Sequence, residues 1–203
     1  FFVYGVRTPI GKRVGAFFAR DWPGAVQSLW KETLAAFLLT LVGALAGYLL
    51  VAYDPAWYDM LIPAELAQQR DFDASTESLR ETLYDTDDGG ALSLFATFLF
   101  THNSQVAVFC FALGFAFAVP TAMLLVYNGT SLGAILALFA SHGLGFEMGG
   151  WLMIHGTTEF LAIVIAGGAG IRIRRGVGFP GAGTRPRLRA PAGRLAILLY
   201  APR

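Results

Sequence analysis

The sequence predicts an all-α fold: a polytopic transmembrane helical bundle with interfacial helices and a small helical extracytoplasmic cap. Hydrophobic residues fill 55% of the 203 positions and charged residues only 14%, which leaves too little polar surface to cover a water-soluble globule. Apolar runs recur at the length of about 20 residues that a helix needs to cross a bilayer core. Basic and acidic residues separate into alternate connecting segments, the asymmetry that orients membrane spans.

Residues 1–33 read as cytoplasmic interfacial helices. Val14, Phe17, Phe18, Trp22, Val26, Leu29 and Trp30 fall at helical spacing with charged residues between them, which suits helices lying at headgroup depth. Residues 34–53 form the first crossing, where Gly43, Ala44, Ala46 and Gly47 would let a neighbouring backbone come close. Residues 54–105 are expected to form an outer acidic cap followed by an interfacial or re-entrant helix. Pro63 opens "PAELAQQR" as a first-turn proline, and "STESLRETLY" carries Arg80 among acidic neighbours. "DTDDGG" at 85–90 lacks the spacing and terminal glutamate of a calcium loop and reads as a solvated turn. "ALSLFATFLF" at 91–100 is too short to span and is stopped by "THNSQ".

The second crossing is placed at 106–126 and the third at 130–148, with "YNGTS" at 127–131 as the turn between them. Pro120 inside the second crossing would free the carbonyl of Ala116 and kink the helix near the midplane. "NGT" at 128–130 matches a glycosylation acceptor only formally, because this topology puts it in the cytoplasm. The fourth crossing is 151–171. Residues 172–203 make a basic, Gly- and Pro-rich cytoplasmic segment, in which each Lys or Arg near anionic headgroups is worth about 1 kcal/mol. There "LAILLY" at 195–200 resembles the start of a further helix, and the abrupt beginning at Phe1, without a signal-peptide cleavage pattern, suggests a longer chain. Cys110 is the sole cysteine, so it reads as a packing residue and forms no internal disulfide.

Arg7, Lys12, Arg13, Arg20 and Lys31 precede the first crossing, and Arg172, Arg174, Arg175, Arg185, Arg187, Arg189 and Arg194 follow the last. The segment after the first crossing carries Asp54, Asp59, Glu65, Asp71, Asp73, Glu77 and Glu81. Four crossings therefore return both ends to the cytoplasm, in agreement with the positive-inside rule.

Ionisable residues inside the apolar runs need a reason. A central charge costs about 2.5 to 3.5 kcal/mol on insertion scales. His155 and Glu159 lie four apart, one turn on a helical face, and "SHGLGFEMGG" adds His142 and Glu147 at the outer end of the third crossing. Their convergence has three readings. It could be a hydrogen-bonded knot fixing how crossings pack, an ion, proton or substrate site, or a metal site with His142, Glu147, His155 and Glu159 as ligands. The order of residues is not HExxH, and no catalytic triad, phosphate loop or nucleotide fingerprint appears. The expectation is a protein without enzymatic activity or cofactor, a metal-dependent membrane enzyme being the alternative. No nucleic-acid partner is expected.

The run "FLFTHNSQVAVFCFALGFAFAVPTAMLLVYNGTSLGAILA" followed by "LMIHGTTEFLAIVIAGGAGIRI" resembles the stage II sporulation protein M family, formerly domain of unknown function 95. The elements that carry the resemblance are Asn103, the "NG" pair Asn128 and Gly129 with Gly133, the "HG-x-x-E" element of His155, Gly156 and Glu159, and the closing Gly170. "FPG" at 179–181 is similar to the family's post-helix segment, while Ser104 stands where a second asparagine is frequent. The resemblance implies a multispanning integral membrane protein, and the expectation is a helical bundle of the bacterial inner membrane that contacts membrane lipids and forms a homodimer. The resemblance also implies a scaffold or assembly factor for other envelope proteins. A transporter or channel-like protein with a polar His/Glu path is the alternative.

Overall fold

In the computed structural model the described residues are 10–67, 70–84, 91–116 and 118–177, with backbone alone for 91–96, 155 and 174–177. Among them the chain is helical and contains no strand. Helices α1 (Ile10–Ala16) and α2 (Trp22–Ser28), joined by a π-helical turn at Phe17–Asp21, carry no buried residue. The long helix α3 (Trp30–Tyr53) follows a break at Leu29. Short helices α4 (Ala56–Leu61), α5 (Ala64–Ala67) and α6 (Thr76–Tyr84) come next. The remainder is α7 (Ala91–Ala112), α8 (Val119–Ser141), α9 (Gly145–His155) and α10 (Thr157–Val177).

Three helical stretches are long and apolar enough to cross a membrane: Trp30–Tyr53, Thr97–Phe115 and Val119–Ser141. A fourth crossing is possible through α9 and α10, which pass the same test together but bend by 68° where they meet. The distribution of apolar surface fits this. Leu34, Leu38, Leu41, Val42, Leu45 and Leu49 on α3 are all exposed, a belt too large for a soluble monomer and suited to lipid.

Helices α3 and α8 run parallel and interlock through glycines. A Cβ on Gly43 would fall on the carbonyl oxygen of Val126, and one on Gly47 on that of Thr130. Reciprocally, a Cβ on Gly129 would meet the carbonyl of Thr40 and one on Gly133 that of Ala44. Two glycines four apart on each helix therefore form one seam, the small-residue packing that membrane helices use when burial from water cannot drive their association. Helix α10 runs antiparallel to α3, with Gly168 against Thr33 and the Phe160 ring edge-on to Phe37 at 6.4 Å. It also lies against α7, where Gly170 backs onto the carbonyl of Cys110 and onto Gly114. Ala36, Val106, Cys110, Leu125, Ile163 and Val164 fill the space between these four helices.

Helices α4 to α6 pack across one end of the bundle. Tyr58, Ile62, Leu79 and Leu83 meet Leu138, Phe139, Leu144 and Met148 there in a second apolar cluster. Ser75 caps α6 by accepting the Ser78 N–H at 3.1 Å. Burial pushes the Tyr58 phenol up to about 12 although the charge of Arg70 opposes the shift, and burial likewise lowers the pKa of Arg70. The fold favours the neutral phenol. Its contribution is therefore complete below the free-phenol value near 10 and is lost as pH rises through about 12. The α4–α6 layer is accordingly expected to loosen in that interval, read by tyrosinate absorbance together with near-ultraviolet circular dichroism. Tyr58→Phe should remove this step; an unchanged alkaline transition in that variant would refute the assignment.

Several expected boundaries move. The hairpin turn placed at 127–131 lies instead at 113–118, through a 3-10 turn (Leu113–Phe115) and Ala118 at φ +60°. "YNGTS" continues α8, because Thr130 and Ser131 bond back to the carbonyls of Val126 and Tyr127 at 2.9 and 3.3 Å, and its glycine faces α3. The crossings expected at 106–126 and 130–148 thus become α7 and α8. The segment 91–100 is not a separate re-entrant helix, since α7 runs unbroken through "THNSQ". Pro120 produces no midspan kink: it sits in the first turn of α8, where no N–H is required. The single span expected at 151–171 is divided between α9 and α10. Residues 1–9, 85–90 and 178–203, with the acidic turn, "FPG" and "LAILLY", lie outside the described residues.

Candidate functional site

Asn103 on α7 and Glu159 on α10 meet inside the bundle. The Asn103 Nδ2 donates to Glu159 Oε2 at 2.5 Å, and both side chains are partly buried. Glu159 lies in the first turn of α10, where the unpaired N–H groups and helix dipole favour a carboxylate. Asn103 lies within the apolar stretch Thr97–Phe115. Fifty-six residues separate the two in sequence, so their bond ties the second long apolar helix to the last one.

The backbone between His155 and Glu159 departs from the expected continuous helix. His155 closes α9 and Glu159 lies in the first turn of α10, with Gly156 at the 68° bend. Thr157 directs its hydroxyl to the Met153 carbonyl at 2.9 Å, a back-bond of the kind that bends helices. Stacking one turn apart on a common face requires an unbroken helix, and here the two residues belong to different segments. The side chain of His155 lies outside the described residues.

His142 and Glu147 join the α4–α6 layer instead. His142 follows α8, its Nδ1 3.0 Å from the Leu138 carbonyl and 3.1 Å from Ser141 Oγ, and its ring lies beside Phe72 at 6.2 Å. Glu147 pairs with Arg80 at 3.5 Å. The expected convergence is thereby divided: Glu159 takes an amide on α7, whereas Glu147 takes a guanidinium on α6. Among the described residues, no three His, Cys, Asp or Glu side chains gather as metal ligands.

The motif residues have separable roles. Asn103 supplies the amide to Glu159. Gly129 and Gly133 give α3 its close approach, and Gly170 does the same for α7. Asn128 sits half-buried beside the seam, and Gly156 marks the bend.

One polar pair escaped the sequence reading. Glu32, only 4% exposed at the start of α3, faces Arg172 of α10 at 3.6 Å. Arg172 also donates to the carbonyl of Ser28, at the end of α2. The signal for it was present: opposite charges at the start of one apolar helix and the end of an antiparallel one fall at the same depth. Thr121, similarly overlooked, donates to the Cys110 carbonyl at 2.9 Å and closes the α7–α8 turn.

Compared with known proteins, the family model described as Stage II sporulation protein M matches residues 36–201. No curated protein and no solved structure matches the chain.

Proposed function

The chain belongs to the stage II sporulation protein M family, and from that premise we propose that this membrane protein is a scaffold or assembly factor of the bacterial cell envelope, without catalytic chemistry of its own. The observation that carries the reading is the Asn103–Glu159 bond, which commits the carboxylate of Glu159 to a neighbouring apolar helix. Such a bond fixes packing and is poorly suited to an open ion path. The two ends of the bundle support an orientation. Lys12, Arg13, Arg20 and Lys31 lead into α3, whereas Asp54, Asp59, Asp71, Asp73, Glu77 and Glu81 stand at the α4–α6 end. By the positive-inside rule the basic end is cytoplasmic and the α4–α6 layer faces outward, where it meets other envelope proteins.

Reconstitution tests this against transport. Wild-type protein in liposomes is expected to pass no protons or alkali cations above empty vesicles. Glu159→Gln is expected to lower resistance to unfolding in detergent and leave vesicle permeability unchanged. Flux through the wild type that the variant abolishes, with its folding intact, would contradict the scaffold reading.

A further inference from the structure

An apolar groove of about 470 Å³ runs between α2 and the outward face of α10. Trp22, Val26 and Leu29, spaced by four and three, form one wall. Ala162, Ala166 and Ala169 form the other, with Phe111 of α7 beside them. The groove extends along α10 from Thr158 to Ala169, about 16 Å at 1.5 Å per residue. A hydrocarbon chain, whose carbons approach their neighbours to about 4 Å, matches a lining this apolar. The groove therefore suits an extended chain. Its walls are too apolar to hold water.

The charge at one end identifies the rest of the occupant. Arg172 lies three residues beyond Ala169, so it continues the α10 stripe that lines the groove and stands at its mouth beside the α2–α3 junction. Its bonds to Ser28 and Glu32 both use Nη1. The side chain is 45% exposed, and a guanidinium has five N–H donors in a fork that suits phosphate oxygens. Lys31 is exposed at the same junction, over the Trp30 ring at 5.4 Å, and Lys12, Arg13 and Arg20 lie on the preceding helices.

We propose that this groove is a binding site for one anionic glycerophospholipid, with an acyl chain between α2 and α10 and its phosphate at Arg172. The lipid comes from the leaflet that holds the amino-terminal helices. It fills the space between the apolar face of α2 and the bundle, and so anchors that helix.

The test uses the full chain, equilibrated in mild detergent with equal phosphatidylglycerol and phosphatidylcholine and examined by native mass spectrometry. One phosphatidylglycerol is expected to remain bound per chain, in preference to phosphatidylcholine. Ala162→Trp, at an exposed position inside the groove, is expected to lower that retention about tenfold with the melting temperature preserved. Arg172→Lys should keep the preference and Arg172→Gln should abolish it. Should Ala162→Trp fail to fold, Ala166→Leu narrows the same groove and carries the same expectation. A photoreactive residue at position 166 should label lipid. Equal retention in wild type and groove-filled variants, no preference for phosphatidylglycerol, or labelling of protein at position 166 in place of lipid would each overturn the proposal.

Discussion

Gly129→Ala is expected to cost about 2 to 3 kcal/mol, at the upper end of what one inserted methyl does to a packed interior. The obstacle is backbone: the new Cβ would sit on the Thr40 carbonyl of α3, which no rotamer change can clear. Helix α3 would have to withdraw, opening the contacts at Gly43, Gly47 and Gly133 together. Gly150→Ala provides the contrast, because a Cβ there meets nothing within 4 Å and a helical alanine gains up to about 1 kcal/mol over glycine. Unfolding in detergent mixtures should show the first variant markedly weakened and the second unchanged or strengthened. Equal effects would mean that the glycine seam does not hold α3 to α8.

Arg172→Ala is expected to be the most damaging change at the opposite side of α3. It leaves Glu32, 4% exposed, without this cation, and removing one partner of a buried pair costs about 3 to 5 kcal/mol. Exposure of Arg172 reduces this to about 2 kcal/mol. The Ser28 carbonyl loses its donor in the same variant, so the break between α2 and α3 should become more accessible to protease. Glu32→Gln together with Arg172→Ala should recover part of the loss, because a neutral amide tolerates burial better than a carboxylate that has lost this cation. A double variant no better than the single one would show that Glu32 does not depend on Arg172.

The apolar helices were legible because length and hydropathy decide whether a segment can cross a membrane, and α3 departs from the expected 34–53 only at its start. What misled at 127–131 was the aqueous meaning of "NGTS". In water those residues compete for turns, whereas inside a membrane helix their hydroxyls return to carbonyls one turn back and the glycine lies against a partner. Pro120 carried a similar ambiguity, since a proline that kinks a helix and one that begins it are the same letter until the turn is located. The close-approach role of Gly43 and Gly47 could be read locally; their partners Gly129 and Gly133 could not, because nothing in the chain states which helices adjoin. For the same reason, Glu159 was recognisable as a residue needing shelter, while the identity of its partner came only from the fold.

The account depends most on Asn103 and Glu159 holding two apolar helices together, and a double-mutant cycle measures this directly. Asn103→Ala, Glu159→Ala and the double variant would be unfolded in mixed micelles and their free energies compared. A hydrogen bond to a charged group is worth about 1.5 to 3 kcal/mol, although interhelical bonds in membranes average nearer 0.6. A favourable coupling of about 1 kcal/mol or more is therefore expected. Strictly additive losses in the two single variants would contradict it.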